Sequence, residues 1–278
     1  MKAAVLGVGR MGTAIVYAMN KLGFYVAGMD ACEDAAYNFR KYIGGSDGAF
    51  YLTDQDNADR TMETALLHEK PDIVISSLPY HQTEDMGFWC IDNGFRYCDL
   101  GGRVDVSANI NEYVSRVGAE YIMTKPVFTD LGLAPGWVNI LAEQGYKKVP
   151  QTEKVSMYVG GLPSWVDMSN PLKYEATWSI DGLINEYVDD CEVLENGKLK
   201  EVKGMDGFEA VDVMGTKFEA FFTSGGAAHT IKSMKDRGVL HCYYKTLRYG
   251  GHNKLIKFLI NKCELGRECL EKIFRKCC

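Results

Sequence analysis

No run of this sequence is apolar for long enough to cross a bilayer. The longest such runs, DIVISSLP at 72–79 among them, stop far short of the roughly 20 residues a spanning helix needs. The N-terminal MKAAVLGVGRMGTAIV is broken by glycines and an arginine where a signal peptide stays apolar, so the expectation is a soluble, cytoplasmic chain without membrane contact. A basic excess is also missing. At a net charge of −6 the composition offers no concentrated positive face for phosphate backbones, which argues against a nucleic-acid partner. The nine cysteines include no CxxC pair and no metal-finger spacing, so reduced thiols and no metal centre are expected, with adjacent Cys277 and Cys278 the one oddity. Internal repeats, low-complexity stretches and a Ser/His/Asp nucleophile elbow are absent as well. What remains is a chain of 278 residues, 46% hydrophobic and 24% charged, able to bury the core of one large or two modest domains.

The first half alternates strand and helix patterns. KAAVLGVGRMG runs an apolar strand into Gly7, Gly9 and Gly12 and then into a helical pattern ending at Gly23. In that setting Gly7 permits the tight turn, Gly9 lets a pyrophosphate approach the backbone, and Gly12 seats the helix against the strand, with Arg10 and Met11 at the helix start. The next strand, FYVAGMD, ends in Asp30, whose carboxylate suits ribose hydroxyls and repels a 2′-phosphate; ACED follows with no nearby cation, favouring NAD over NADP. DIVISSLP then places Ser77, Leu78 and Pro79 at the carboxyl edge of a parallel sheet, where such sheets bind their ligands. RYCDL and AEYIMTKPVF complete an expected six parallel strands, the last at about 120–128. The expected division is a Rossmann NAD-binding domain over 1–128 and an α+β substrate-binding and dimerisation domain with a mixed or antiparallel sheet over 129–278. The strands expected in the second part are KVSMYVGG, KYEATWS, CEVLENGKLKEV, FEAVDV, KFEAFFTSG and VLHCYYKTLRY, with helices near 180–188 and 227–236 and an Asn-Gly hairpin in ENGK.

TDLGLAPGWVNILAEQGY at 129–146 closely resembles the segment joining the two domains of the saccharopine dehydrogenase family. SSLPYH, YVGGLP, NPLKYEATWS, FTSGG and YYKTLRYGGH are similar to that family's motifs in the same order. Within it, SIDGLINEYVDD looks most like the lysine 6-dehydrogenase branch, which uses NAD. Two departures are YGGH in place of Tyr-Pro-Gly-His, and Arg103 where many relatives carry an amide. The ending NKLIKFLINKCELGRECLEKIFRKCC reads as two short amphipathic helices in place of the family's further strands, so the chain looks like a shortened member.

The resemblance implies oxidation of an amino-acid amine: deamination of the lysine 6-amino group, or saccharopine-type C–N chemistry. A small amino-acid substrate carries a carboxylate, which Arg248 in the strand HCYYKTLRY suits through two parallel hydrogen bonds. Lys245 ranks behind it, because an odd spacing points it to the other strand face unless a bulge intervenes; a solvated strand edge is the alternative for both. Tyr80 and Tyr244 are further substrate candidates. Proton transfer from the amine needs a base, and His81, Asp99 and Asp130 stand at strand ends beside the expected cofactor. Each has a structural alternative: Asp130 as a cap of the helix that Pro135 starts or a brace of the turn, Asp99 as a partner of the Gly-Gly turn amides, and His81 as a structural histidine. His252 and His229 suit loop orientation better than proton transfer. Two other functions stay open: a sugar or polyol oxidoreductase using Lys125, and a non-catalytic NAD-binding subunit. A homodimer or dimer of dimers is expected, because KFEAFF and LHCYY leave an apolar sheet face that the terminal helices, with Leu255, Phe258, Leu259, Cys263, Leu270, Ile273 and Phe274 at helical spacing, cover only in part.

Overall fold

The computed structural model describes every residue except 45–46, 55–56, 166–168, 228 and 278; the side chains of Ala119 and Cys277 also lie outside what it describes, and with the latter the expectation about that cysteine pair. The chain divides into two compact units, Met1–Gly132 and Leu133–Cys278.

The first unit runs β1 (Lys2–Leu6), α1 (Arg10–Lys21), β2 (Tyr25–Asp30), α2 (Glu33–Tyr42), β3 (Gly48–Leu52), α3 (Ala58–Glu69), β4 (Ile73–Ser76), α4 (Tyr80–Asp92), β5 (Tyr97–Asp99), α5 (Val104–Val117), α6 (Ala119–Thr124) and β6 (Val127–Phe128). The six strands are parallel in the order β3-β2-β1-β4-β5-β6, the doubly wound order of a dinucleotide-binding sheet. Ala3 to Leu6 are fully buried because helices cover both faces of β1. Ala4 and Leu6 face one core with Met29, Leu66, Val74 and Ile110, while Val5 faces the other with Val16, Val26 and Phe39. One sequence expectation needs correction: most of 120–128 is the short helix α6, and only Val127 and Phe128 join the sheet. Gly118, at φ +105°, starts that helix, and the amide of Lys125 closes it on the carbonyl of Tyr121, so the strand-forming letters of EYI never reach β5.

The second unit continues with α7 (Trp137–Lys148), β7 (Lys154–Val159), α8 (Ile180–Val188), β8 (Cys191–Glu195), β9 (Lys198–Val202), β10 (Glu209–Val213), β11 (Thr216–Phe222), α9 (Thr230–Asp236), β12 (His241–Tyr249), α10 (His252–Asn261) and α11 (Arg267–Cys277). Its sheet has the order β10-β11-β12-β8-β9, with β7 pairing in parallel on β12. The ENGK hairpin is present, Asn196 and Gly197 taking φ of +50° and +72° as a primed turn requires. KYEATWS, expected as a strand, is irregular. Side chains take part in holding it: the Asn170 amide donates to the Tyr174 carbonyl at 2.9 Å, and Trp178 Nε1 to the Tyr174 hydroxyl at 3.1 Å. β12 lies inside the sheet, so the solvated-edge reading of its two cations does not hold. The terminal helices α10 and α11 pack Ile256, Leu270 and Phe274 with Phe221 and Tyr187 on one sheet face. The opposite face carries the half-buried rings of Tyr158, Phe218, Phe222, Tyr243 and Tyr249.

Candidate active site

At the carboxyl end of β1 the chain makes its first glycine turn. Gly7, at φ +78°, donates its amide to the Met29 carbonyl, and a Cβ on it would stand 2.8 Å from the Ser77 carbonyl oxygen. A Cβ on Gly12 would lie 1.8 Å from the Gly7 carbonyl oxygen, so glycine alone lets α1 start this close to β1. Gly9, by contrast, has no heavy atom near its missing Cβ. That open space lies over the helix start, beside exposed Arg10 and Met11, with no acidic side chain in the first turn of α1 to compete for an anion. The cradle fits a dinucleotide pyrophosphate. Asp30, at the tip of β2, accepts from the Val8 amide at 2.6 Å and the Cys32 amide at 2.8 Å, which fixes its carboxylate beside the same loop. Ser77, Leu78 and Pro79 follow β4 on this edge, Pro79 as the residue preceding α4.

Two strands from β1, the end of β5 brings carboxylates together. Asp99 is 2% exposed; its Oδ1 accepts from the Gly101 amide at 2.8 Å and the Asp130 amide at 3.0 Å, and its buried Oδ2 has no hydrogen-bond partner. Burial pushes its carboxyl up to about 6, the two amides working against the rise and the Asp130 charge adding to it. The turn-bracing reading of Asp99 is therefore part of its geometry. Asp130 is half-buried at φ +62°, and its Oδ1 accepts from Ser107 Oγ at 2.6 Å. The helix-cap alternative for Asp130 falls away, because the residue before α7 is Gly136, whose amide is held by Asn139. Tyr80 opens α4 near this turn, with the Arg103 guanidinium 5.6 Å from its ring centre and its Cβ 3.2 Å from where a Cβ on Gly102 would be. His81 is exposed beside it, and no hydrogen bond joins it to Asp99 or Asp130 among the described residues. Lys125 sits at the end of α6.

The second unit separates the two strand cations. β12 is unbroken from β11 to β7, with no bulge at the tyrosines, so Lys245 and Arg248 stay on opposite faces. Grouping Lys245 with Arg248 at one substrate is thus corrected: the Lys245 ammonium is spent on Glu209 at 2.8 Å and the Gly207 carbonyl at 2.6 Å. Arg248, 3% exposed, lies on the helix-covered face with Tyr244 and Thr246. Its guanidinium carbon is 4.5 Å from the Tyr174 ring centre and 5.8 Å from that of Tyr187, and its Nε donates to the Tyr187 hydroxyl at 2.9 Å. That hydroxyl in turn meets His252 Nε2 at 3.0 Å, and His252 Nδ1 meets the Leu172 carbonyl at 2.7 Å. Burial, and then the Arg248 charge, hold His252 down at about 3, so the ring is neutral. A carbonyl only accepts, so Nδ1 carries the proton, Nε2 accepts from Tyr187, and the Tyr187 oxygen is left to accept from Arg248. Gly226 makes room for Tyr244, whose ring would lie 2.3 Å from a Cβ there. Sequence reasoning did not single out Ser107, Tyr187 or Glu186 as site residues; LINEY was legible only as a motif.

Residues 3–125 match the family model of the saccharopine dehydrogenase NADP binding domain, and residues 132–267 that of the saccharopine dehydrogenase C-terminal domain. The chain belongs to the saccharopine dehydrogenase family. Among similar proteins of this family, the mitochondrial alpha-aminoadipic semialdehyde synthase of Rattus norvegicus is 28% identical over 222 residues, covering 73% of this chain and 22% of the rat protein. The NADP(+), L-glutamate-forming saccharopine dehydrogenase of Schizosaccharomyces pombe is 24% identical over 234 residues, 79% of this chain and 49% of that one. The chain thus spans half or less of these two relatives. Apo saccharopine dehydrogenase (L-Glu forming) from Saccharomyces cerevisiae shares the fold at a TM-score of 0.70 and 20% identity, over 93% of this chain and 57% of the yeast chain. Among the described residues no three His, Cys, Asp or Glu side chains are grouped to hold a metal, and no helix is long and apolar enough to cross a membrane.

Proposed function

We propose that this saccharopine dehydrogenase family member is an NAD-dependent oxidoreductase acting on the C–N carbon of a lysine-derived amino acid, either lysine at its 6-amino group or a saccharopine-type secondary amine. One observation carries the reading: the glycine cradle and the Asp99–Asp130 pair share the carboxyl edge of one parallel sheet, in a chain whose two units match both domains of the family. Gly7, Gly9 and Gly12 would hold a nicotinamide dinucleotide, and the chemistry it would supply is acceptance of hydride from the amine-bearing carbon. The chain's own residues handle position and protons. Gly7, Gly9, Gly12 and the α1 amides hold the pyrophosphate, and Ser77 to Pro79 line the next strand end. A protonated amine does not release hydride, so Asp130, half-buried and held through its Oδ1 by the Ser107 hydroxyl, takes that proton. Asp99 acts through it as a positioning residue, since its Oδ1 holds the Asp130 amide while it is itself almost wholly buried.

NAD rests on Asp30. Its carboxylate is fixed beside the loop, and the six residues that follow, ACEDAA, carry no cation to receive a 2′-phosphate. The matched domain and the fission-yeast relative carry NADP in their names, so the cofactor is a discriminating test. Purified protein is mixed with NAD or NADP and with L-lysine or L-saccharopine at alkaline pH, and nicotinamide absorbance is followed. The reading expects reduction with NAD and at least one of the two substrates. Equal or better rates with NADP would overturn the cofactor assignment, and silence with both substrates and both cofactors would overturn the activity.

A further inference from the structure

The last turn of α8 carries an acid that the chemistry above does not use. Glu186 is half-buried and makes no hydrogen bond or ion pair through its carboxylate among the described residues. Its backbone is fixed nonetheless: the Ser224 amide donates to the Glu186 carbonyl at 3.0 Å, and Ser224 Oγ to the Asn185 carbonyl at 3.1 Å. The neighbouring Asn185 Nδ2 is buried and likewise has no partner. Arg248 is near enough to act on the Glu186 carboxylate electrostatically. Its Nε and Nη1 are committed to Tyr187 and the Leu247 carbonyl, both at 2.9 Å, while its Nη2 makes no hydrogen bond among the described residues.

These two opposite charges act on each other, yet the ion pairs within 4.0 Å in this unit do not include one between them. Burial pushes the Glu186 carboxyl up to about 7 with Arg248 opposing the rise, as expected of an acid that has lost water and gained no partner. A buried cation and a half-buried acid, each with an unused bonding edge and held apart by fixed backbones, are costly in a finished core. A molecule that carries an anion and a cation side by side satisfies both at once, and an α-amino-acid headgroup is such a molecule.

We propose that Glu186 is a substrate-binding residue that takes the ammonium of an α-amino-acid headgroup, whose carboxylate is taken by the unused edge of Arg248. The proposal rests on the amino-acid substrate of the preceding reading and adds the residue that selects for the α-ammonium. Tyr187 serves it by accepting from the Arg248 Nε and so orienting the guanidinium, and His252 by fixing the Tyr187 hydroxyl.

Calorimetric binding to the full chain in the presence of NAD tests this without turnover. The probes are L-lysine, L-norleucine, which keeps the headgroup and lacks the terminal amine, and 6-aminohexanoate, which lacks the α-ammonium. Glu186→Gln is expected to weaken L-lysine and L-norleucine at least tenfold and to leave 6-aminohexanoate unchanged, with Glu186→Asp intermediate and both variants melting near the wild-type temperature. A loss for 6-aminohexanoate with L-norleucine spared would place Glu186 at the other end of the substrate and overturn the proposal. Equal losses for all three probes, no loss, or no wild-type binding of L-lysine and L-norleucine would overturn it too. Turnover with an unaffected Glu186→Gln would sink this subsite and spare the proposed activity; the expected binding pattern without any turnover would do the reverse.

Discussion

Replacing Asp99 by asparagine isolates the cost of ionising a carboxyl that the fold has almost wholly removed from water. Its folded-state value of about 6 stands above the ordinary 3.8. A raised acid binds its proton more tightly in the folded chain than in the unfolded one, so the stability it confers is complete below about pH 3. That stability is lost as pH rises through about 6. At about 1.4 kcal/mol per tenfold, the rise from 3.8 to about 6 is worth about 3 kcal/mol. Asparagine keeps an oxygen for the Gly101 and Asp130 amides and never ionises. Its amide nitrogen, placed where Oδ2 now has no partner, carries a cost that does not vary with pH. The stability of Asp99→Asn minus that of the wild type should therefore climb by about 3 kcal/mol between about pH 3 and pH 7. For a unit of this size that is a relative shift of about 10 °C in the midpoint by scanning calorimetry. His252, which is held low and loses stability in the opposite direction, is common to both proteins and drops out of the difference. A difference that is flat with pH, or that falls, would refute the assignment of a dehydrated Asp99 carboxyl whose Oδ2 has no partner.

Gly12→Ala should unfold the start of α1 or shift it off β1, because its Cβ meets a backbone oxygen 1.8 Å away, and dinucleotide binding by calorimetry should be lost. Gly9→Ala meets no atom, so it should keep the wild-type melting temperature and lose affinity only for the dinucleotide. His252 ring protons should show no titration above about pH 4 in NMR spectra, and a midpoint near 6 would contradict its buried, Arg248-facing position. Arg248→Lys should raise KM for the amino acid at least tenfold, while Lys245→Met, on the other face and paired with Glu209, should act on stability and leave KM near the wild type. Sedimentation should give a species of about twice the 31.0 kDa chain mass, joined through the sheet face that carries Tyr158, Phe218, Phe222, Tyr243 and Tyr249; a monomer at micromolar concentration would refute this.

The glycine cradle was legible in the sequence because its geometry is local: Gly7, Gly9 and Gly12 lie within one turn and the carboxylate of Asp30 ends the next strand. The same locality exposed the ENGK hairpin and the opposite faces of Lys245 and Arg248. AEYIMTKPVF misled because its strand-forming side chains are outweighed by a helix start at Gly118, and KYEATWS because side-chain hydrogen bonds replace its ladder. The setting of Arg248 was not legible at all. Tyr187 is 61 positions away and joins His252 across 65, and no periodicity encodes a hydrogen bond at such separations. The setting of Asp130, a proton-transfer candidate with a helix cap or a turn brace as its alternative, was not legible either, because its partner Ser107 lies 23 positions earlier, on α5.

The central claim is that this chain oxidises an amine-bearing carbon of a lysine-derived amino acid with NAD, and the path of one hydrogen tests it most directly. Protein is incubated with NAD and either L-lysine deuterated at carbon 6 or L-saccharopine deuterated at the carbons flanking its secondary amine, and the recovered dinucleotide is weighed by mass spectrometry. The account predicts deuterium in the reduced dinucleotide from at least one substrate, abolished by Gly12→Ala and slowed by Asp130→Asn. Reduced dinucleotide without the label, or none from either substrate, would contradict it.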